Sequence, residues 1–185
     1  MSRFKFEDTP IMGLKIISRT PLIDQRGSFT RIYCDQDFLG VFDSPICQVN
    51  HSITEKKGAI RGLHYQMYPN AEKKIVTCIV GAIFDVAVDL RRDSPTFLKW
   101  YGRELSDKNC KSMLLPEGVA HGFQALSDRV EMIYFHTKPY SSGSEGGVNP
   151  FDENISIEWP YECTEISSRD SSLPYLTSNF EVKFL

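Results

Sequence analysis

Apolar residues in this chain fall in short runs, several of them alternating with polar residues, and glycine, proline, serine or aspartate punctuates the gaps. The clearest run is Ala82–Leu90. There Ile83, Asp85, Ala87 and Asp89 alternate with Phe84, Val86, Val88 and Leu90, a period of two with one fully apolar face. The same pattern predicts strands over Leu14–Ser18 and Phe29–Tyr33, flanking the turn Asp24-Gln25-Arg26-Gly27. It predicts others over Cys47–Ile53, Arg61–Gln66 and Lys74–Val80. Phe97–Leu105 and Ser112–Leu115 read as a hairpin through Ser106–Asn109, and Gly122–Leu126 and Val130–His136 as another through Ser127–Arg129. A short helix fits Asp35–Gly40, and the tail after Trp159 reads as irregular. Tyr140–Pro150, rich in serine and glycine, reads as a mobile loop able to cover a site. Many short strands without a 3.6-residue period predict an all-β sandwich or barrel.

With 185 residues the chain suits one domain with a substantial core, so residues 1–185 are read as a single unit. A formal net charge of −3 gives no electrostatic case for binding nucleic acid or an anionic membrane. No apolar run approaches the roughly 20 residues of a membrane-spanning helix, and Met1–Asp8 lacks an apolar signal core, so a cytoplasmic protein is expected. Cys34, Cys47, Cys78, Cys110 and Cys163 are scattered without paired spacing, which fits free thiols in a reducing compartment.

The chemistry concentrates in Arg61-Gly-Leu-His64-Tyr-Gln66, followed by Lys73-Lys74, Pro116-Glu-Gly-Val-Ala-His121-Gly-Phe123 and the strand tyrosine Tyr134. A base, a group of cations and a phenol inside a barrel suggest proton transfer on an anionic substrate. A diphosphate is a natural partner for Arg61 and the lysines; the alternative is lysines solvated at a strand edge. Pro116–His121 is similar to the second half-motif of the cupin jelly rolls. A metal-binding cupin would also show two histidines one residue apart and a nearby glutamate, whereas this chain offers only His64 there. His51 and His136 are isolated in sequence, so neither a metal nor another cofactor is expected.

At these residues the chain resembles the dTDP-4-dehydrorhamnose 3,5-epimerase family. The matching blocks are Asp24–Gly27, Gln48-Val-Asn-His-Ser52, Arg61–Gln66, Gly81–Leu90 with Asp93-Ser-Pro-Thr96, Pro116–Phe123, Tyr134 and Ser168-Arg-Asp170. The resemblance implies a cupin-like jelly roll with a few short helical segments and a tail, from about residue 160, packed over the barrel. It implies a homodimer whose N-terminal strands help complete the partner's site. It also implies cofactor-free inversion of C3, C5 or both in a nucleotide-linked 4-keto-6-deoxyhexose. In that reading His64 is the base, Asp170 its partner, Tyr134 the acid on the opposite face and Lys74 the stabiliser of the enolate oxygen. Arg61 and His121 match phosphate- and substrate-contacting positions, and Gln48 and Asn50 a nucleotide-contacting strand. Arg26, Arg31, Tyr140, Glu145 and Arg169 complete the expected binding set. A 3,4-ketoisomerase and a non-catalytic nucleotide-sugar-binding jelly roll are the alternatives.

The pattern is broken at several places. Leu22 stands where the family usually has an aromatic residue and Arg31 where it has an acidic one. Gln48-Val49-Asn50 replaces Gln-Asp-Asn, Phe135-His136-Thr137 replaces Lys-Thr-Thr, and Gly146-Gly147 replaces an arginine–glycine pair. The inverted charge at Arg31 implies that the preferred nucleotide or sugar can differ from that of dTDP-4-keto-6-deoxyglucose epimerases.

Overall fold

Runs rich in valine, isoleucine and aromatic residues form the strands of the computed structural model, which describes residues 2–177, 180 and 182–184. In chain order these are β1 (Phe4–Asp8), β2 (Lys15–Arg19), β3 (Leu22–Asp24), β4 (Gly27–Phe29), β5 (Gln48–Thr54), β6 (Ile60–Gln66) and β7 (Lys74–Val80). They continue with β8 (Ala82–Asp89), β9 (Trp100–Ser106), β10 (Lys111–Leu115), β11 (Val119–Ala125), β12 (Val130–His136) and β13 (Glu145–Gly147). Among the described residues there are two single-turn helices, α1 (Asp35–Phe38) between β4 and β5 and α2 (Ser168–Ser171) after β13. One sheet has the order β1-β2-β10-β7-β12-β5 and a second the order β13-β6-β11-β8-β9; β3 and β4 pair separately. The result is the expected jelly roll, and among the described residues its paired strands all run antiparallel.

Both expected hairpins are corrected. β9 pairs with β8, while β10 pairs with β2 and β7 in the other sheet. Likewise β11 pairs with β6 and β8, whereas β12 pairs with β5 and β7. The turns Ser106–Asn109 and Ser127–Arg129 are therefore corners that carry the chain across the sandwich. Their turn chemistry reads the same in either role, because the choice of partner strand is made by packing between the sheets.

Three apolar layers explain the faces. Val76, Met113 and Met132 of the six-stranded sheet meet Ile83, Ala87 and Phe123 of the five-stranded sheet in the central layer. Outside the six-stranded sheet, Phe4, Ile17, Ile75 and Leu114 pack on Phe38 and Phe42 around α1. Outside the five-stranded sheet, Leu63, Tyr65, Val86 and Val88 are covered by Ile155, Trp159, Leu176 and Phe184. The apolar face of β8 thus packs under the tail. Its mixed face, with Asp85 and Asp89, is buried as well, so a strand read with one apolar face is covered on both sides.

Two further expectations change. Of the predicted Phe29–Tyr33 segment only Phe29 is strand, as the last residue of β4, with irregular chain leading from it to α1. The segment predicted as a mobile loop contains β13, which pairs Glu145 with Gln66 and Gly147 with His64. Gly146 lies on the Tyr65 ring so closely that a Cβ there would sit 2.5 Å from it, which is why a glycine-rich stretch can close onto β6.

Candidate active site

The inner faces of the two sheets are apolar at one end and polar at the other. At the polar end they enclose a cavity of about 610 Å³. Period-two alternation directs His64 and Gln66 of β6 into it, together with His121 of β11, Lys74 of β7 and Tyr134 and His136 of β12. Gln48, Asn50 and Ser52 face it from β5. β6 and β11 belong to one sheet, β5, β7 and β12 to the other, so the cavity has two distinct walls.

On the first wall His64 Nε2 lies 2.8 Å from Asp170 Oδ1, and Asp170 Oδ2 accepts the Gly62 N–H at 3.0 Å. Burial pushes the Asp170 carboxyl up, but the bond and charge of His64, the Gly62 amide and Arg169 outweigh it and hold the group below its ordinary value. An ionised Asp170 accepts the Nε2 proton, which leaves the His64 Nδ1 lone pair free. His121, opposite His64 in register, has its Nε2 2.7 Å from Asp85 Oδ1. Asp85 is fully buried, and burial drives its carboxyl above its ordinary value against the pull of His121 and Lys74. Its Oδ2 has no hydrogen-bond partner among the described residues.

On the second wall the Tyr134 hydroxyl lies 3.0 Å from Ser52 Oγ. Burial pushes the phenol up to about 12, with the Ser52 bond acting in the opposite sense. Tyr134 therefore keeps its proton at neutral pH and can give it up only to a strong base. Lys74 is buried, with Nζ 3.4 Å from Glu72 Oε1. Arg61 reaches across from β6 to donate to Thr54 Oγ1 and the Ile53 carbonyl, both at 2.9 Å.

At the rim, three residues expected from separate parts of the chain form one cluster. Arg169 pairs with Glu145 Oε1 at 2.5 Å, and the Tyr140 hydroxyl donates to Glu145 Oε2 at 2.8 Å. The Tyr140 amide donates to Gln48 Oε1 and the Ser141 amide to Gln66 Oε1, which ties the segment down over the cavity mouth. Arg26 and Arg31 do not join the site within one chain. Arg26 pairs with Asp24 at 2.6 Å on the exposed β3–β4 hairpin, and Arg31 with Asp37 at 3.3 Å.

Sequence reasoning missed Glu72, Asp85 and His136. Asp85 and His136 lie inside recognisable strand patterns, but only the assembled sheets show which carboxylate faces which imidazole. All four histidines of the chain line the cavity, each against a carboxylate: His51–Glu131, His64–Asp170, His121–Asp85 and His136–Glu72. Among the described residues no three His, Cys, Asp or Glu side chains converge as a metal site requires. No helix there is long and apolar enough to cross a membrane.

Comparison with known proteins places this geometry in context. Residues 8–178 match the family model described as dTDP-4-dehydrorhamnose 3,5-epimerase. The chain is 43% identical over 171 residues to the dTDP-4-dehydrorhamnose 3,5-epimerase of Salmonella typhimurium, covering 91% of this chain and 93% of that protein. It is 37% identical to the dTDP-4-dehydrorhamnose 3-epimerase of Streptomyces niveus, covering 86% of this chain and 78% of that protein. Its fold superposes with a TM-score of 0.88 on a dTDP-6-deoxy-D-glucose-3,5-epimerase from Legionella pneumophila in complex with dTDP-4-keto-L-rhamnose. That pair shares 35% identity over 93% of this chain and 92% of the other.

Proposed function

The chain belongs to the dTDP-4-dehydrorhamnose 3,5-epimerase family, and from that premise we propose how its cavity inverts carbon centres of a dTDP-linked 4-keto-6-deoxyhexose. The protons at C3 and C5 of such a sugar are acidic because each carbon adjoins the C4 ketone. His64 Nδ1 removes one of them, and Asp170 stabilises the imidazolium that forms. Negative charge develops on O4 as the enolate forms, and the buried Lys74 ammonium stabilises it there. Tyr134 returns a proton to the opposite face, and inversion results. Arg61 binds the diphosphate, with His121, Gln48 and Asn50 orienting the substrate and the Tyr140–Glu145–Arg169 cluster closing over it.

The observation that carries this reading is the division of labour between the walls. The imidazole with its carboxylate stands on one sheet and the protonated phenol on the other, across one cavity. A protein that only bound the sugar nucleotide would need neither group, and a base and acid on facing walls suit inversion at a carbon.

Arg26 and Arg31 act in the partner subunit's cavity of a homodimer. In support, Ile23 and Phe29 on the β3–β4 hairpin are 78% and 66% exposed, an apolar surface beside Arg26 that a second copy would cover. Residues 1–185 work as one domain, with the tail supplying Asp170.

Incubation with dTDP-4-keto-6-deoxyglucose in D₂O, followed by NMR, tests the reaction. Deuterium at C3 and C5 with inverted products is the expected result, and uptake at C3 alone makes the protein a 3-epimerase. Migration of the ketone to C3 establishes a ketoisomerase instead, and no exchange with any 4-keto sugar nucleotide overturns the catalytic reading.

A further inference from the structure

Two residues of the cavity have no part in the reaction just described. His136 stands two positions beyond Tyr134 on the same inner face of β12, with the rings stacked at 6.3 Å between centroids and 23° between planes. Its neighbours across the sheet are Gln48 on one side and Lys74 on the other. Glu72, buried beside it, divides its carboxylate between two partners. Oε2 accepts from His136 Nδ1 at 2.8 Å, and Oε1 faces Lys74 Nζ at 3.4 Å.

Burial pushes the Glu72 carboxyl up, but His136 and Lys74 together hold it below its ordinary value. An ionised carboxylate can only accept, so the imidazole proton lies on Nδ1. Nε2 then presents a lone pair to the cavity, where its hydrogen-bonding neighbour among the described residues is Asn50 Nδ2 at 3.4 Å. That contact is long, and the lone pair has room for a shorter bond.

We infer that His136 Nε2 is a specificity-determining contact that accepts a hydrogen bond from a hydroxyl group of the hexose, with Glu72 as the positioning residue that fixes its tautomer. The inference rests on the proposed sugar-nucleotide reading. With the Nδ1 proton committed to Glu72, the Nε2 lone pair offers a phosphate oxygen no donor, so its ligand is a donor. Its neighbours on the same wall are Tyr134 and Lys74, the groups that address the hexose ring. The diphosphate-binding Arg61 ends at Ile53 and Thr54 of β5, opposite Glu131 and Val130 and so at the far end of β12 from His136. A hexose lacking that hydroxyl leaves a buried acceptor unpaired and binds roughly ten- to a hundredfold more weakly.

Calorimetric titration of the full chain with dTDP and with unreactive dTDP-glucose tests this without turnover. The quantity read is the ratio of the two Kd values, the increment in affinity contributed by the sugar. His136→Ala is expected to reduce that ratio about tenfold while leaving the Kd for dTDP within about twofold of wild type. His136→Gln, whose amide oxygen can accept the same bond, restores most of it, and Glu72→Gln lowers it by loosening the tautomer. An equal loss for both ligands assigns the acceptor to the base or to local structure and overturns the inference. An unchanged ratio in His136→Ala overturns this contact alone, whereas a wild-type protein that binds neither ligand overturns the sugar-nucleotide reading along with it.

Discussion

Asp170 holds two groups of one strand at once, the His64 imidazole at 2.8 Å through Oδ1 and the Gly62 amide at 3.0 Å through Oδ2. Its own amide donates to Ser167 Oγ at the start of α2, so the carboxylate is fixed from both ends. His64 comes from the barrel and Asp170 from the tail, which docks beside β6 through the Ile60–Ile166 bridge. The dyad therefore exists only when the tail is folded onto the sheet. His64→Asn should lower kcat by about 10³-fold or more and Asp170→Asn by about 10²- to 10⁴-fold, because the amide no longer enforces the productive tautomer. Turnover followed by NMR checks both, with circular dichroism confirming the fold. Either variant retaining a tenth of the wild-type rate would remove that residue from its assigned role.

Tyr134→Phe separates proton removal from inversion. The base on the first wall still abstracts and returns a proton on its own face, so deuterium should enter the substrate with retained configuration. Inverted product should fall by about 10²-fold or more, the contribution of a positioned general acid. Equal losses of exchange and inversion would mean that Tyr134 acts in substrate binding or folding.

The shifted groups also set the edges of the pH–stability profile. Asp170 is depressed in the folded state, so its contribution is fully present above about pH 5 and is lost as pH falls through its folded value. Tyr134 is raised to about 12, so the stability linked to it is intact below about pH 10 and is lost as pH rises from there. The difference in unfolding free energy between wild type and Asp170→Asn should shrink in acid. Tyr134→Phe should lose less stability than wild type between about pH 10 and 12, by up to about 2 kcal/mol. Denaturant titrations across the range measure both, and parallel curves for wild type and variant would contradict the assignment.

How legible the site was depended on what a residue needed for recognition. His64, His121, Tyr134 and Asp170 lie in ordered blocks, so family resemblance found them although 106 positions separate His64 from Asp170; Lys74 lies between blocks and was assigned by its place in the same resemblance. Alternation alone marked β7, β8 and β12 as strands. It could not say that both faces of β8 are buried, because the tail that covers the apolar face carries no strand pattern of its own. The corners at Ser106–Asn109 and Ser127–Arg129 were misread for a related reason, since turn residues report a change of direction and not the sheet entered next. Glu72 and His136 were passed over because each looks ordinary in sequence; their pairing arises from the register between β7 and β12, which places His136 opposite Lys74.

Gly62 offers a test of how the dyad is supported by backbone packing. Its φ is +121°, and a Cβ there would lie 2.5 Å from Gly122 Cα and 2.8 Å from the His121 carbonyl oxygen. Backbone cannot yield as a side-chain end can, so β6 and β11 would be forced apart where His64 and His121 face each other. Gly62→Ala should destabilise the fold by about 2 kcal/mol or more and lower activity in whatever protein remains folded. Thermal denaturation within a degree or two of wild type would show that the two strands do not need this close approach.

Arg26 tests the assembly. If it serves the partner's cavity, a dimer combining one Arg26→Ala chain with one His64→Asn chain has one intact site, built from His64 of the first and Arg26 of the second. Each variant alone has none. Mixing equal amounts and allowing the chains to exchange should therefore restore about a quarter of wild-type activity, since about half the dimers are mixed and each carries one working site. Adding Ile23→Asp and Phe29→Asp to both chains should remove the rescue by charging the apolar hairpin surface. It should also shift the mass measured by light scattering toward that of the 21.1 kDa chain. If Arg26 instead acted on its own cavity, both sites of the mixed dimer would be defective and no activity would return, which would confine the whole site to one subunit.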